Sequence, residues 1–505
     1  MNKNFELKDY IGIFFFIGAI VLLILMIFNP VNQFLIHIDE YFTLGLVQLP
    51  FLNGMELTIA DVHPPLYYLI LEFIIGTLNT LHIPFNIIYL SKIVSTIPYL
   101  LILVLSGTKI RKEYGWLTAG IFVFAVGIMS DFFRYYIIAR MYSWSLLFLL
   151  ISFIALKGVI ERNDTKSWII LTVFTIFGAY THYYGIISGF MIYVLLLLYI
   201  LIQKEETVSI SFKNIISNLK GSSFKKWIIS LIAIIIAYIP WISTVVSQAT
   251  NIISNSSSWI KPPTLKSFLK LFIYPITPSK IFIIKILAVI TLIIILALLI
   301  SKLRDKQVKE NTYILFGFSI FLGTIIIGTL ISIFVEPFIF PRYLIPITGI
   351  FWYTFAILIG KQNNKKILIF LVTFILILGL CGAYVNQHNL SNYYKQEQND
   401  QNIFNIMNTN DSIVIYTSGV SVLEFEDYLN KTDGYTLSSS FKNCKLENIK
   451  SKTVTKDQLI KIVNKNKSKK KIYIIQDEHK DELDLGPKYK IGQIWNRRMK
   501  VYILK

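Results

Sequence analysis

Two adjacent carboxylates, Asp39 and Glu40, are the residues whose types and spacing best suit catalysis. They lie in residues 36–68, a stretch with four acidic residues and two histidines but no lysine or arginine, in a chain of formal net charge +19. Carboxylates at the rim of a bilayer are costly to hold unless they act on something. One can deprotonate the hydroxyl of an acceptor in a group transfer. Neighbouring carboxylates repel each other and can therefore divide their roles. The structural alternative is a pair that caps a helix terminus.

A second set of residues suits the binding of an anion. His63 follows Asp61 and precedes two prolines, where it could contact a phosphate or a metal ion, or cap a helix. Arg140 and Arg342 lie at the ends of apolar segments. An arginine there could clamp a lipid phosphate with its planar, permanently charged guanidinium, or extend to the headgroups as an ordinary interfacial residue.

Aromatic residues accompany these candidates. His182 and Tyr183 belong to the sequence Tyr-Thr-His-Tyr-Tyr at 180–184, and Tyr343 follows Arg342. Such residues could line a binding site or form the aromatic belt common at membrane interfaces. Taken together, two acids, two arginines and two histidines on one membrane face fit transfer from an anionic lipid carrier.

The composition indicates a polytopic membrane protein. Hydrophobic residues make up 54% of the 505, and the mean hydropathy is +0.59. Apolar runs of about 20 residues recur between residues 10 and 384, and each can cross a hydrocarbon core of about 30 Å. Cys381 and Cys444 lie in different regions and predict neither a disulfide framework nor a metal cluster. Lysine and arginine gather in short loops between apolar runs, which favours membrane orientation over nucleic-acid binding.

The distribution of basic residues decides the topology. If residues 64–81, which contain Glu72, crossed the membrane, the later loops rich in lysine and arginine would lie outside the cell, contrary to the positive-inside rule. We therefore predict an interfacial helix at 64–81, with its two prolines in the first turn. Eleven spans are then predicted: 11–28, 86–106, 116–130, 141–157, 168–181, 184–202, 227–246, 280–300, 312–334, 343–360 and 367–384.

This topology predicts two domains. Residues 1–384 form the transmembrane catalytic domain, with a cytoplasmic N-terminus and an acidic outer loop at 29–65. Residues 385–505 are polar and form a small extracytoplasmic α/β domain. Its predicted strands and helices follow from short apolar runs: strands Ser412–Tyr416, Lys471–Gln476 and Val501–Leu504, and helices near Val422–Leu429 and Asp457–Val463.

The ordered motifs resemble a known family. Residues 39–40, 61–68 (Asp-Val-His-Pro-Pro-Leu-Tyr-Tyr), 139–142 (Ala-Arg-Met-Tyr), 180–185 and 342–346 occur in the order found in glycosyltransferase family 39. This family includes protein O-mannosyltransferases and aminoarabinose transferases. The resemblance covers roughly residues 10–360.

The resemblance implies a GT-C fold and a sugar donor linked to polyprenyl phosphate. It implies that Asp39 is the catalytic base, that Glu40 supports it or the acceptor, and that Arg140 and Arg342 bind the donor phosphate. His63 departs from the family pattern, because several relatives have lysine before the two prolines. Asp61, His182, Tyr183 and Tyr343 are the further expected substrate-binding residues.

We therefore expect an inverting, multi-pass membrane glycosyltransferase of the hexosyltransferase type. It would transfer mannose or another hexose from polyprenyl phosphate to an extracytoplasmic protein, lipid or glycan acceptor. No cofactor is clearly required, a divalent metal stays an open alternative, and no nucleic-acid partner is expected. The competing functions are a lipid or glycan transporter or flippase, a non-catalytic membrane scaffold, and a ligase or polymerase that uses a pyrophosphate-linked glycan.

Overall fold

The computed structural model describes most of the chain. The described residues are 5–28, 38–128, 135–204, 207–208, 211–255, 260–277, 282–303, 308–417, 434–437, 451–477, 483–494 and 499–504. The chain divides into two compact units, one of residues 1–29 and 61–386 and the other of residues 30–60 and 387–505.

The first unit is almost entirely helical. Its helices are α1 (Leu7–Ile27), α4 (Leu66–Thr80), α5 (Ile87–Leu105), α6 (Arg111–Ile128), α7 (Tyr142–Arg162), α8 (Thr165–Thr181), α9 (Tyr183–Ile202), α10 (Phe212–Leu219), α11 (Ser222–Asn255), α12 (Leu265–Ile273), α13 (Phe282–Leu303), α14 (Val308–Phe334), α15 (Ile345–Gly360) and the first part of α16 (Lys365–Met407). A π-helical segment, Ser106–Ile110, joins α5 to α6, and short 3-10 segments are Tyr274–Ile276 and Pro341–Leu344. The two-residue strands β1 (Gln203–Lys204) and β2 (Thr207–Val208) pair antiparallel.

The membrane character of the fold agrees with the sequence prediction. Among the described residues, nine helical stretches are long and apolar enough to cross a membrane. One of these stretches, Ile87–Ile128, has 42 residues and corresponds to two predicted spans. Helix α8 corresponds to the predicted span 168–181, although its 17 residues make it just too short to be counted among the nine. Each of the eleven predicted spans thus corresponds to a helix. The predicted interfacial segment is helix α4, which begins after Pro65.

Two helices extend well beyond the predicted spans. Helix α11 has 34 residues and continues through Pro240, and α16 has 43 residues and ends only at Met407. The predicted domain boundary at residue 384 therefore falls inside a helix. The residues that follow it are polar but include neither proline nor glycine up to Met407, so nothing local stops the helix.

Glycines bring α1 and α6 into backbone contact. A Cβ atom added to Gly12 would lie 2.2 Å from the carbonyl carbon of Trp116, and one added to Gly120 would lie 1.9 Å from the carbonyl oxygen of Gly12. Helices in a bilayer gain no hydrophobic drive from associating, so they pack through small residues that let backbones approach closely. Any side chain larger than hydrogen at these two positions would separate the helices.

The described part of the second unit contains three short helices, the end of α16 and a sheet. Helices α2 (Ile38–Leu46) and α3 (Phe51–Ala60) come from the loop predicted at 29–65. The described part of the sheet has six strands in the order β5-β4-β3-β6-β8-β7, of which β3, β4, β5 and β6 are parallel and β8 and β7 antiparallel. The strands are β3 (Ser412–Tyr416), β4 (Gly434–Leu437), β5 (Lys452–Val454), β6 (Lys471–Asp477), β7 (Lys488–Ile494) and β8 (Met499–Leu504).

Apolar side chains cover the sheet on both faces. One face packs against Phe404 and Met407 at the end of α16, and the other against Leu459 and Val463 of α17 (Lys456–Asn466). Helix α17 begins with a capping box between Thr455 and Gln458. The small α/β domain predicted after residue 385 is thus present, whereas the helix predicted near Val422–Leu429 lies outside the described residues.

Candidate functional site

The predicted site residues Asp61 and His63 are hydrogen-bonded to each other just before helix α4. The Nδ1 atom of His63 lies 2.7 Å from Oδ2 of Asp61. The His63 side chain is 13% exposed and that of Asp61 19%, so the pair is largely shielded from solvent. Pro65 is the N-cap of α4 and lacks an N–H group, which removes one of the orphan donors that a helix start would otherwise leave.

Arg140 joins this pair from a distant part of the sequence. Its side chain is buried, with 4% exposure. Nη1 donates to the hydroxyl of Tyr68 at 3.2 Å, and Nη2 lies 3.2 Å from Nε2 and 3.4 Å from Nδ1 of His63. The structure therefore assembles Asp61, His63 and Arg140, separated by up to 79 residues, into one cluster. We call these three residues and Tyr68 the Arg140 cluster.

The donors and acceptors of this cluster constrain the proton on His63. A guanidinium only donates hydrogen bonds, so a hydrogen bond from Arg140 needs an imidazole nitrogen that accepts. The contact to Nε2 meets this need if the imidazole proton is on Nδ1, where it is donated to Asp61. A doubly protonated His63 would keep its pairing with Asp61 but could no longer accept from Arg140. His63 can therefore orient the guanidinium.

The charges of the cluster stabilise the ionised form of Asp61. Burial alone would raise the pKa of the Asp61 carboxyl. The positive charge of His63 when protonated, the hydrogen bond from His63 and the charge of Arg140 outweigh burial, so the pKa of Asp61 lies below its ordinary value. The carboxylate is consequently ionised at neutral pH and offsets part of the positive charge.

His182 lies at the junction of helices α8 and α9 and is 4% exposed. Its Nδ1 accepts from the backbone N–H of Tyr184 at 3.1 Å, so it caps the start of α9 with its proton on Nε2. Its ring lies 5.6 Å from that of Tyr142 and 5.5 Å from that of Tyr343. Burial lowers the pKa of His182 well below its ordinary value, and the positive charges of His63, Arg140 and Arg342 lower that pKa further.

Arg342 and Tyr343 lie on the 3-10 segment that precedes α15. Both are half-buried, and the guanidinium of Arg342 lies over the rings of Phe340 and Tyr343, at 5.4 and 5.6 Å from their centroids. The charge of Arg342 lowers the pKa of His182, as do the charges of His63 and Arg140, and the rings of Tyr343 and His182 lie 5.5 Å apart. The predicted residues of the first unit thus form a basic, aromatic-lined site at the ends of several helices.

Tyr183 is hydrogen-bonded to helix α11, which the sequence analysis did not predict to be part of the site. Its hydroxyl donates a short hydrogen bond to Oε1 of Gln248 on α11, and Gln248 is 3% exposed. Gln248 lies just beyond the predicted span 227–246, close to Ser247 and Thr250, so no distinct sequence signal indicated this contact. Tyr68 and Tyr142, the contacts of Arg140 and His182, were part of the motifs but were not predicted to belong to the site.

Asp39 and Glu40 belong to the second unit. Both lie in the first turn of helix α2, where acidic side chains interact favourably with the helix dipole. Glu40 is 1% exposed and Asp39 half-buried. This position is compatible with the capping alternative as well as with catalysis.

Within the part of the chain that the structure describes, no group of three or more His, Cys, Asp and Glu side chains could hold a metal ion. Cys381 is a free cysteine on α16.

Comparisons with known proteins identify the fold. No protein-family model matches the sequence, and no curated protein matches it. Solved structures do match. The structure of ArnT from Cupriavidus metallidurans bound to undecaprenyl phosphate aligns with a TM-score of 0.58 over 99% of this chain and 98% of that one, at 10% sequence identity. The apo structure of the same protein gives a TM-score of 0.59 over 97% of both chains, also at 10% identity.

The chain has the fold of ArnT. The predicted polytopic GT-C architecture with a small C-terminal domain is therefore confirmed. At 10% identity the likeness concerns the ArnT fold alone, so what each side chain does must be argued from the contacts of this chain. Within that ArnT fold, the residues with the clearest capacity for chemistry are those of the Arg140 cluster and His182.

Proposed function

We propose that this protein is a membrane glycosyltransferase that uses a sugar donor linked to polyprenyl phosphate. The observation that carries the proposal is the cluster of Arg140, His63 and Arg342 around the buried His182. The buried Arg140 and the half-buried Arg342 favour a phosphate anion, because hydrogen bonds to charged groups are stronger in a site shielded from water than in bulk solvent. The fold supports the proposal, since one structure with this fold is bound to undecaprenyl phosphate.

The site suits a reaction in which the phosphate leaves. Transfer forms a bond between the acceptor oxygen and the anomeric carbon, and breaks the bond from that carbon to the phosphate oxygen. Negative charge grows on the departing phosphate, and donors fixed in place before the reaction stabilise that charge without reorganising. Arg140, held by Tyr68 and His63, is such a donor. The phosphate leaving group needs no further activation, so the remaining tasks are positioning and deprotonating the acceptor.

We propose that Asp39 is the general base that takes the proton from the acceptor hydroxyl, and that Glu40 supports Asp39 or the acceptor. The assignment rests on the paired carboxylates and on the resemblance to glycosyltransferase family 39. A transfer that inverts the anomeric configuration needs one base, on the face opposite to the leaving phosphate. We further propose that the site faces the extracytoplasmic side and that the sugar is mannose or another hexose, delivered to a protein, lipid or glycan.

Donor turnover by the purified full-length protein tests this function. The protein is incubated in nanodiscs with polyprenyl-phosphate mannose, glucose or aminoarabinose and a cell-envelope extract, in parallel with Asp39→Asn. We expect consumption of one donor by the wild type and a loss of about 100-fold or more in Asp39→Asn, with unchanged thermal unfolding. Unchanged turnover in Asp39→Asn would refute the base. No consumption of any donor by folded wild-type protein would favour a pyrophosphate-linked donor or a non-enzymatic function.

A further inference from the structure

A polar cavity of about 390 Å³ lies where helices α7, α9, α10 and α11 meet. Its lining includes Asn163, Gln203, Asn214 and Ser217, with Trp168 among the aromatic residues. Asp164 caps the start of α8 beside this cavity, whereas His182 is at the end of the same helix. Since 17 helical residues span about 25 Å, the cavity is at the opposite end of the helices from the candidate functional site.

The wall around Asn163 is fixed by hydrogen bonds. Asn163 has a left-handed backbone, with φ of 51°, and ends helix α7. Its Oδ1 accepts from Nε1 of Trp168 at 2.8 Å, and its Nδ2 donates to Oγ of Ser222 at 3.1 Å. Its carbonyl oxygen accepts from Nζ of Lys226 at 2.6 Å. Three helices are thereby joined through one residue, so the cavity is preformed.

The opposite wall is fixed in the same way by Asn218 of helix α10. Its Nδ2 donates to the carbonyl oxygens of Leu201 at 3.0 Å and of Gln203 at 2.8 Å. These bonds tie α10 to the end of α9. The short helix therefore has a definite position over the cavity.

Basic residues dominate the segments that form the cavity. Residues 160–166 and 211–226 carry six basic and two acidic side chains. Both acids, Glu161 and Asp164, pair with Arg162, at 3.9 and 3.1 Å. The other basic residues are Lys166, Lys213, Lys220, Lys225 and Lys226. The lining itself carries one acid and one base, Glu161 and Arg162, which pair with each other, so the excess positive charge lies on the lysines of the flanking segments. Lysines around a polar cavity favour an anionic ligand that also carries hydrogen-bonding groups.

Helix α10 indicates that the anion belongs to a lipid. Its apolar residues Phe212, Ile216 and Leu219 share one side, at positions i, i+4 and i+7, and are 79%, 41% and 40% exposed. Asn214 and Ser217 line the cavity from the same helix. Helix α10 also carries Lys213 and has Lys220 at its C-cap. A short helix with basic residues, an exposed apolar side and membrane-spanning neighbours is typical of one that lies in the bilayer interface.

We propose that this cavity binds the headgroup of an anionic glycerophospholipid, with the apolar side of α10 in the acyl chains of the same leaflet. The lysines attract the lipid phosphate, and the amide and hydroxyl side chains accept and donate hydrogen bonds to the rest of the headgroup. This site is independent of the glycosyltransferase proposal, because none of its residues contacts the Arg140 cluster in the arrangement described.

Native mass spectrometry of the full-length protein in detergent tests the proposal. The protein is titrated with phosphatidylglycerol, phosphatidylcholine or inorganic phosphate. One variant replaces three exposed lysines around the cavity, Lys213→Gln, Lys220→Gln and Lys225→Gln. A second, Ser217→Trp, fills the cavity without changing the charge. The matched control removes three exposed lysines from the second unit, Lys461→Gln, Lys465→Gln and Lys467→Gln.

We expect phosphatidylglycerol to bind more tightly than phosphatidylcholine, and the triple variant at the cavity to lose at least about tenfold in affinity. Ser217→Trp should lose the bound lipid as well, and the matched control should behave as wild type, all with unfolding temperatures that show a folded protein. Equal binding of the two lipids, or an unchanged affinity in both cavity variants, would overturn the proposal. Displacement of the lipid by inorganic phosphate would do so too, since it would show a site for a soluble anion.

Discussion

Replacing Arg140 by glutamine removes the central donor of the proposed phosphate site. The guanidinium is 4% exposed and reaches Tyr68 and His63 at 3.2 Å. A hydrogen bond to a charged group contributes about 1.5–3 kcal/mol. Losing one such bond to a phosphate weakens binding by about 10- to 100-fold, because about 1.4 kcal/mol corresponds to a factor of ten. Arg140→Lys keeps the charge but loses the planar fork, so a smaller loss of about tenfold is expected.

The same substitution also affects folding, and the two effects must be separated. Arg140→Gln removes the guanidinium that donates a hydrogen bond to the Tyr68 hydroxyl. If that hydroxyl stays buried without a replacement donor, the free energy of unfolding falls by about 1–3 kcal/mol. Tyr68→Phe removes that structural hydrogen bond and leaves the charge. It should therefore lower stability while affinity for undecaprenyl phosphate stays within about threefold of wild type. Arg111→Gln makes the same chemical change at an exposed arginine and is the control for net charge.

Binding of undecaprenyl phosphate to the detergent-solubilised protein is the direct assay, measured beside the apparent unfolding temperature. The expected order of affinity is wild type and Tyr68→Phe first, then Arg140→Lys, then Arg140→Gln. A folded Arg140→Gln protein that binds undecaprenyl phosphate within twofold of wild type would show that Arg140 is structural. An equal loss in Tyr68→Phe would lead to the same conclusion.

Two further predictions follow from buried polar groups. His182, whose pKa is well below its ordinary value, stays neutral in the folded protein while the unfolded chain binds a proton below about pH 6.5. The free energy of unfolding should therefore fall as the pH drops below that value, by up to about 1.4 kcal/mol per pH unit. A difference in unfolding free energy between His182→Phe and wild type that does not change with pH would contradict this. Both carboxylate oxygens of Glu72 on α4 are buried and have no hydrogen-bond partner within the part of the chain that the structure describes. Glu72→Leu should increase the free energy of unfolding by about 1–3 kcal/mol and so raise the unfolding temperature in thermal melts. A lower unfolding temperature would show that an additional group forms hydrogen bonds with the carboxylate.

The membrane helices could be predicted because their signal is local. A span must be apolar for about 20 residues, whatever its neighbours are. The ends were harder, since α16 passes into polar sequence and continues to Met407. Its extension depends on packing against the sheet, where Phe404 and Met407 enter the core.

The sheet shows which strands leave a mark in the sequence. The central strands β3 and β6 have continuous apolar runs and were predicted. Strands β4, β5 and β7 were missed. The interior strand β4 and the edge strand β5 have only four and three residues, and the edge strand β7 alternates Lys488 and Lys490 with just two apolar residues before Gly492. Short length and lysines prevent an edge strand from pairing with further chains. The same two features weaken the apolar pattern by which a strand is predicted from sequence.

The members of the Arg140 cluster could be predicted, but not their pairing. Each residue type suggests an anion site, yet 77 residues separate His63 from Arg140. Nothing in a single sequence shows that the imidazole accepts from the guanidinium while it donates to Asp61. That relation depends on the packing of α4 beside the segment that precedes α7.

The glycine contact between α1 and α6 bears on how the protein is made. Helix α1 enters the bilayer before α6, because the surface that contacts Gly12 is synthesised about a hundred residues later, at Gly120. Until then, hydrophobicity alone retains α1 in the lipid, and even afterwards only 22% of its apolar stretch is buried within the described part of the protein. A bulkier residue at Gly12 would thus act during biogenesis, on the pairing of an inserted helix with a late partner. Its effect would appear in the yield of assembled protein and not in the turnover of the molecules that do assemble.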